Sequence, residues 1–192
     1  MGLAGLIGLA LSIVLHELAH ALVARRYELP VHSITLFIFG GVAEMEGEPP
    51  RPEAEFLMAA AGPIVSFLLA FVFYVLALAA IGGGVALLPG IALYLAYVNF
   101  AIAAFNLAPA FPLDGGRVLR AALWGMLGDF ARATRLAVLG GYIFSAILIA
   151  MGVVWILSGN PVRGAWWLML GIFLATAARS TEYHERHRLN SR

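Results

Sequence analysis

Polar positions in this chain fall into a few short clusters, separated by long apolar runs. Five runs are long enough, or nearly so, to cross a bilayer as helices, which takes ~20 residues at about 1.5 Å each. They cover about 3–23, 56–80, 90–108, 136–157 and 165–178. One connecting segment has a different texture. Residues 31–39 are β-branched and aromatic and too few to span; Gly40 and Gly41 follow, then a second short run to Glu46. This pattern predicts one or two strands with a glycine break, a β element within 31–48. Extended backbone at membrane depth is tolerated only where it is buried in protein or lines a wet cavity. A membrane-embedded hairpin would therefore point to an internal site; a hairpin lying on the cytoplasmic surface is the alternative that periodicity leaves open. The predicted fold class is an all-α polytopic membrane protein: about five transmembrane helices, with a small membrane-embedded β-strand or hairpin between the first two.

Composition supports the membrane reading and narrows the chemistry. Hydrophobic residues make up 62% of 192, charged residues 12%, and mean hydropathy is +0.91. Soluble domains are nearer ~45–50% apolar and ~25% charged, and one soluble core of this length could not hide the excess. A soluble enzyme, a nucleic-acid binder and a disordered chain are excluded, and the lipid bilayer becomes the first partner. With no cysteine, thiol catalysis and thiolate metal sites are excluded, so any metal falls to His, Asp or Glu. All twelve basic residues are Arg. Eleven follow the first, third and fifth runs, and only Arg163 follows the second or fourth. By the positive-inside rule, segments 24–55 and 109–135 and the C-terminus are cytoplasmic and Met1 is outside. The expected location is the cell membrane, multi-pass. The first run has no basic start and is followed by Arg25 and Arg26, so it reads as a retained helix and not a cleaved signal. Gly140, Gly141 and Gly152 in the fourth run predict close helix packing. Asn99 inside the third predicts a hydrogen bond to another helix, since an unpaired amide there is costly.

The first run contains His16-Glu17-Leu18-Ala19-His20. Histidines four apart share a helix face and can reach one metal, and the adjacent Glu17 can act on a metal-bound water. A shuffled chain with five His and nine Glu would contain this pattern with a chance of roughly 0.6%. His16 lies ~20 Å from the outer end of its helix and ~10 Å from the inner end. A carboxylate at that depth is costly unless paired or wet. The structural alternative is two hydrogen-bonded core histidines beside an interfacial Glu. A third ligand is needed, with one position left open for water. Glu44, Glu46, Glu48, Glu53 and Glu55 read as a solvated face. Asp114 stands apart, in the run from Asn106 through Pro109 and Pro112 to Gly115, Gly116 and Arg117. Two prolines and two glycines break the helix there. Asp114 reads equally as a ligand or as the N-cap of a helix starting near Arg117. His32 reads as an interfacial residue, and His184 and His187 as part of a solvated helical tail.

The His16–His20 motif, Gly62-Pro63 in the stretch Ala61 to Ser66, and the run Asn106…Pro109…Pro112-Leu113-Asp114-Gly115-Gly116 occur in that order. In this the chain resembles the site-2 protease family of intramembrane zinc metalloproteases, from the first run through Arg120. The resemblance implies one zinc ion held by His16, His20 and Asp114, with Glu17 as general base. It implies that Asn106 holds the substrate or stabilises the oxyanion. It also implies that a strand including Phe37, Ile38, Phe39, Gly40 and Gly41 pairs with an unwound substrate helix. The substrate class would be single-span membrane proteins, such as anti-sigma-factor-like regulators or signal-peptide remnants, cut in regulated intramembrane proteolysis on the cytoplasmic side. Two rival classes remain at this point: a membrane zinc protease acting at the surface, and a non-enzymatic metal-binding scaffold or transporter. The expected organisation is a protease core over 1–180 and a cytoplasmic tail over 181–192. Compact family members have a helix before the zinc helix, and many carry a regulatory domain. The short length is expected to reflect either a core trimmed at its ends, with the tail as the attachment point of a regulatory domain, or a very small member.

Overall fold

The computed structural model describes residues 2–27, 31–37, 40–45, 49–81 and 87–190. The chain divides into two compact units, Met1–Asn106 and Leu107–Arg192. The first holds α1 (Gly2–Arg26), β1 (Val31–Phe37), β2 (Gly40–Met45), α2 (Pro52–Ala80) and α3 (Leu87–Asn106). The second holds α4 (Asp114–Leu127), α5 (Phe130–Leu157) and α6 (Pro161–Asn190).

Five of these helices (α1, α2, α3, α5 and α6) are long and apolar enough to cross a membrane. Large side chains such as Leu3, Phe71 and Tyr97 point outward on them, 73%, 67% and 72% exposed. An exterior of this kind suits lipid and would be a liability in water. With the composition, it marks a multi-pass membrane protein. Each of the five predicted apolar runs lies largely within one of these helices. The helices are longer than the runs, because apolarity decides what can sit in lipid whereas caps and propensity decide where a helix stops. Pro52 opens α2 at a position where its missing N–H costs nothing. Asp129 caps α5 by accepting from the Arg132 N–H at 3.0 Å. Helix α6 passes position 180 without a break. The sixth helix, α4, is amphipathic and lies outside the apolar runs.

In the first unit, α1 packs on α2 and α3 through small residues. Gly5, Ser12, Ala21 and Ala24 of α1 are buried, as are Ala59, Gly62 and Ser66 of α2 and Ala96 and Ala103 of α3. Small side chains let helix backbones approach closely where lipid gives no hydrophobic drive to association. Asn99 is fully buried and donates its amide to Ser12 Oγ at 2.9 Å and to the Leu95 carbonyl at 2.8 Å. The expected bond to another helix is therefore made, to α1. Strands β1 and β2 pair antiparallel, with Phe37 opposite Gly40, Leu36 opposite Gly41 and Ile34 opposite Ala43. Both strands lie against α1. Ile38 and Phe39, expected in the substrate-pairing strand, lie outside the described residues, as do the side chains of His32, His184 and His187.

In the second unit, α5 packs on α6 at glycines. Gly152 faces Gly164 and Leu168, and Gly171 faces Ile149 and the Ser145 carbonyl. Gly140 and Gly141 also pack closely on helices, against Leu119 of α4 and Ala178 of α6, and do more than expected. They receive the backbone of residues 109–111, with the Pro109 carbonyl 3.1 Å from where a Cβ on Gly140 would stand. The Glu55 assignment also needs correction. It is not on a solvated face but fully buried, because it shares the α1-facing stripe of α2 with Met58, Ala59 and Gly62. Glu53, two residues earlier, is exposed.

Candidate metal centre

The first unit brings His16, Glu17 and His20 together in the C-terminal half of α1, all buried (4%, 7% and 5% exposed). The partners of the two histidines come from one stripe of α2. Met58, Gly62 and Ser66 are spaced by four and share a face, as His16 and His20 do on α1. The two stripes meet antiparallel. His20 Nδ1 donates to the Met58 carbonyl at 2.6 Å, and His16 Nδ1 lies 2.9 Å from Ser66 Oγ. With Nδ1 of each ring engaged, the two Nε2 atoms converge to 3.2 Å. Gly62 sits directly opposite: a Cβ there would be 2.6 Å from His16 Nε2 and closer still to His20 Nε2. Only glycine leaves that space open. Pro63 follows and removes one helical N–H from the same turn of α2.

This donor set fits zinc. Two imidazole nitrogens at ~2.0–2.1 Å from a tetrahedral ion stand about 3.3 Å apart, close to the observed Nε2 spacing. A carbonyl oxygen only accepts, so His20 carries its proton on Nδ1 and presents a lone pair at Nε2. Carbonyl and hydroxyl partners on the outer nitrogens are the usual means of orienting metal-binding imidazoles. Glu17 is three residues before His20, a neighbouring position on the helix surface. Its carboxylate can therefore border the space into which both Nε2 atoms point.

Asp114 belongs to the second unit and Asn106 closes the first. Asn106 is the last residue of α3 and half-buried. Asp114 is the first residue of α4, with Leu113 in the N-cap position. The N-cap reading of Asp114 is thus overturned: the helix begins three residues earlier than expected, at Asp114 itself. A carboxylate in the first turn is favoured by the helix dipole. Gly115 and Gly116 explain why the helix begins there. A Cβ on Gly115 would collide with the Leu107 and Ala108 carbonyl oxygens, and one on Gly116 would stand 2.7 Å from Phe111 N. The two glycines let segment 107–111 fold directly over the first turn of α4. Phe111, 5% exposed, then packs on Ala137 and Val138 of α5. The Phe111–Pro112 peptide bond is cis. Arg120 stacks its guanidinium over Phe111 and Phe130, at 5.1 and 4.8 Å from the ring centroids.

Comparison with known proteins identifies the family. A model of peptidase family M50 matches residues 4–88 and 85–151. The chain belongs to this family, the site-2 proteases. It is 42% identical over 183 residues to Rip3 of Mycobacterium tuberculosis, a protein with zinc metalloprotease in its name; the match covers 95% of this chain and 47% of that one. It is 39% identical over 184 residues to sll0528 of Synechocystis, also named for zinc metalloprotease, covering 94% and 47%. It is 31% identical over 189 residues to stage IV sporulation protein FB of Bacillus subtilis, covering 97% and 61%. The chain thus spans about half the length of the first two of these relatives.

Sequence reasoning passed over three parts of the centre: the Met58 carbonyl, the Ser66 hydroxyl and the space above Gly62. The signal was available for two. A glycine and a serine four apart on an apolar helix match the four-residue spacing of the histidines. The Met58 contribution comes from the backbone, which side-chain identity does not reveal.

Proposed function

We propose that the chain is the catalytic core of an intramembrane zinc metalloprotease, one that hydrolyses peptide bonds in or near transmembrane segments of membrane-tethered regulators. The observation that carries this reading is the buried pair of converging imidazoles with Glu17 beside it, more than two turns inside one end of an apolar helix. A water-binding metal and a carboxylate at that depth have little use except hydrolysis inside the membrane. Asp114 supplies the third ligand, leaving one position open for water. Bound zinc supplies a Lewis acid that polarises the scissile carbonyl and acidifies water.

The chain's own residues do the rest. Glu17 takes a proton from the attacking water and returns it to the leaving amine. Asn106 donates its amide to the oxygen on which charge develops. A transmembrane helix has its carbonyls tied up in its own hydrogen bonds, so the substrate must unwind before attack. Adding it as a strand beside residues 37–41 holds it extended and replaces the lost bonds. The hairpin then enters the membrane, which fits its position against α1. The core runs over 1–180, the remaining residues form a tail, and the site opens to the cytoplasm, in keeping with the Arg distribution. The substrates are single-span proteins, either anti-sigma-factor-like regulators or signal-peptide remnants.

The test uses purified chain, metal analysis and a single-span substrate. Wild type should hold one zinc and cleave; chelation should stop cleavage and added zinc restore it. Glu17→Gln should keep the zinc and lose cleavage by ~10²–10⁴-fold. A variant that keeps both zinc and cleavage would remove Glu17 from the mechanism, and a wild type without zinc would sink the reading.

A further inference from the structure

The two imidazoles are alike in sequence context but are anchored by chemically different groups. We propose that Ser66 is a positioning residue for His16, its hydroxyl deciding which ring nitrogen faces the metal. The proposal rests on the zinc reading above.

His20 faces a carbonyl, which can only accept, so its Nδ1 is always the protonated nitrogen. His16 faces a hydroxyl, which both donates and accepts. With metal, the His16 proton sits on Nδ1 and is donated to Ser66 Oγ, which leaves the Nε2 lone pair for zinc. Ser66 is fully buried. An alanine there would leave His16 Nδ1 without this hydroxyl, so the ring would lose what turns its Nε2 toward the metal. The arrangement gives one ring fixed by a carbonyl, His20, and one oriented by a hydroxyl, His16.

The experiment is a zinc titration of the full chain in detergent against a chromogenic chelator. Ser66→Ala should weaken zinc binding by ~10–100-fold. Ser66→Cys fills similar space with a weak hydrogen-bonding group and should show much of the same loss, which separates bonding from packing. Ser66→Thr keeps the hydroxyl and should stay within a few-fold of wild type. Ser145→Ala is the control. Ser145 is also buried, but its hydroxyl bonds to the Gly141 carbonyl of its own helix, so zinc affinity should not change. Melting of each metal-free variant checks that the fold survives. Wild-type affinity in both Ser66→Ala and Ser66→Cys overturns the proposal, as does an equal loss in Ser66→Thr. Absence of zinc from the wild type instead overturns the function proposed above.

Discussion

In the first unit, the His16–His20 pair is held by directed polar contacts between two helices, a carbonyl for one ring and a hydroxyl for the other. In the second, the position of Asp114 is set by where the backbone can go, with segment 107–111 folded over Gly115 and Gly116. The first arrangement holds a chemical state; the second holds a place in space. They should fail differently. Damage to the first should cost metal and spare the fold, whereas damage to the second should cost the fold before anything else.

The largest expected effect comes from Gly62→Ala. Its Cβ would strike both Nε2 atoms, and the rings cannot swing aside without giving up Ser66 and the Met58 carbonyl. Zinc affinity should fall by at least ~1000-fold, about 4 kcal/mol. Replacing a mid-helix glycine with alanine favours the helix by roughly 0.5–1 kcal/mol, which offsets part of the roughly 1–3 kcal/mol cost of displacing the two rings, so the metal-free protein should stay folded with its melting temperature lowered by only a few degrees. A parallel loss of zinc and fold would show that the imidazole pair and the α1–α2 packing are one unit, and the contrast drawn here would not stand.

Gly115→Ala should invert that pattern. The atoms it meets are backbone carbonyls of residues 107 and 108, which have no rotamer to escape into. Overpacking of this kind costs about 1–3 kcal/mol, visible as a lower melting temperature with or without metal. Zinc affinity measured well below the melt should drop less than for Gly62→Ala. A stable Gly115→Ala protein would mean that the loop can lift off α4 at little cost.

These two glycines also mark how much the sequence made legible. The five apolar runs, the His-Glu motif and the break before Asp114 were readable, because each rests on a local period or a residue type with one strong physical preference. Glu55 misled, since a carboxylate two residues from exposed Glu53 gives no local sign that it lies on the packed stripe of α2. Asp114 as an N-cap misled for a related reason. The start of α4 is fixed by how segment 107–111 crosses Gly115 and Gly116, a contact among loop, helix and α5 that no helix-start rule contains. Ser66 was visible as a residue but not as a partner, because its role exists only once two helices have been set antiparallel in one register.

The smallest effect probes the second unit without touching its glycines. Arg120 holds its guanidinium over Phe111 and Phe130 at once, joining the loop before α4 to the start of α5. Arg120→Met keeps the length and most of the apolar stem but removes the cation. At roughly 0.5–1 kcal/mol for each exposed cation–π contact, the loss should be about 1–2 kcal/mol. Thermal melting would register it as a drop of a few degrees. If Asp114 is positioned by backbone shape, the drop should come with unchanged zinc affinity, because the glycine crossing is intact. A clear loss of zinc in Arg120→Met would mean that the stacked cation, and not the glycine pair, sets the position of Asp114.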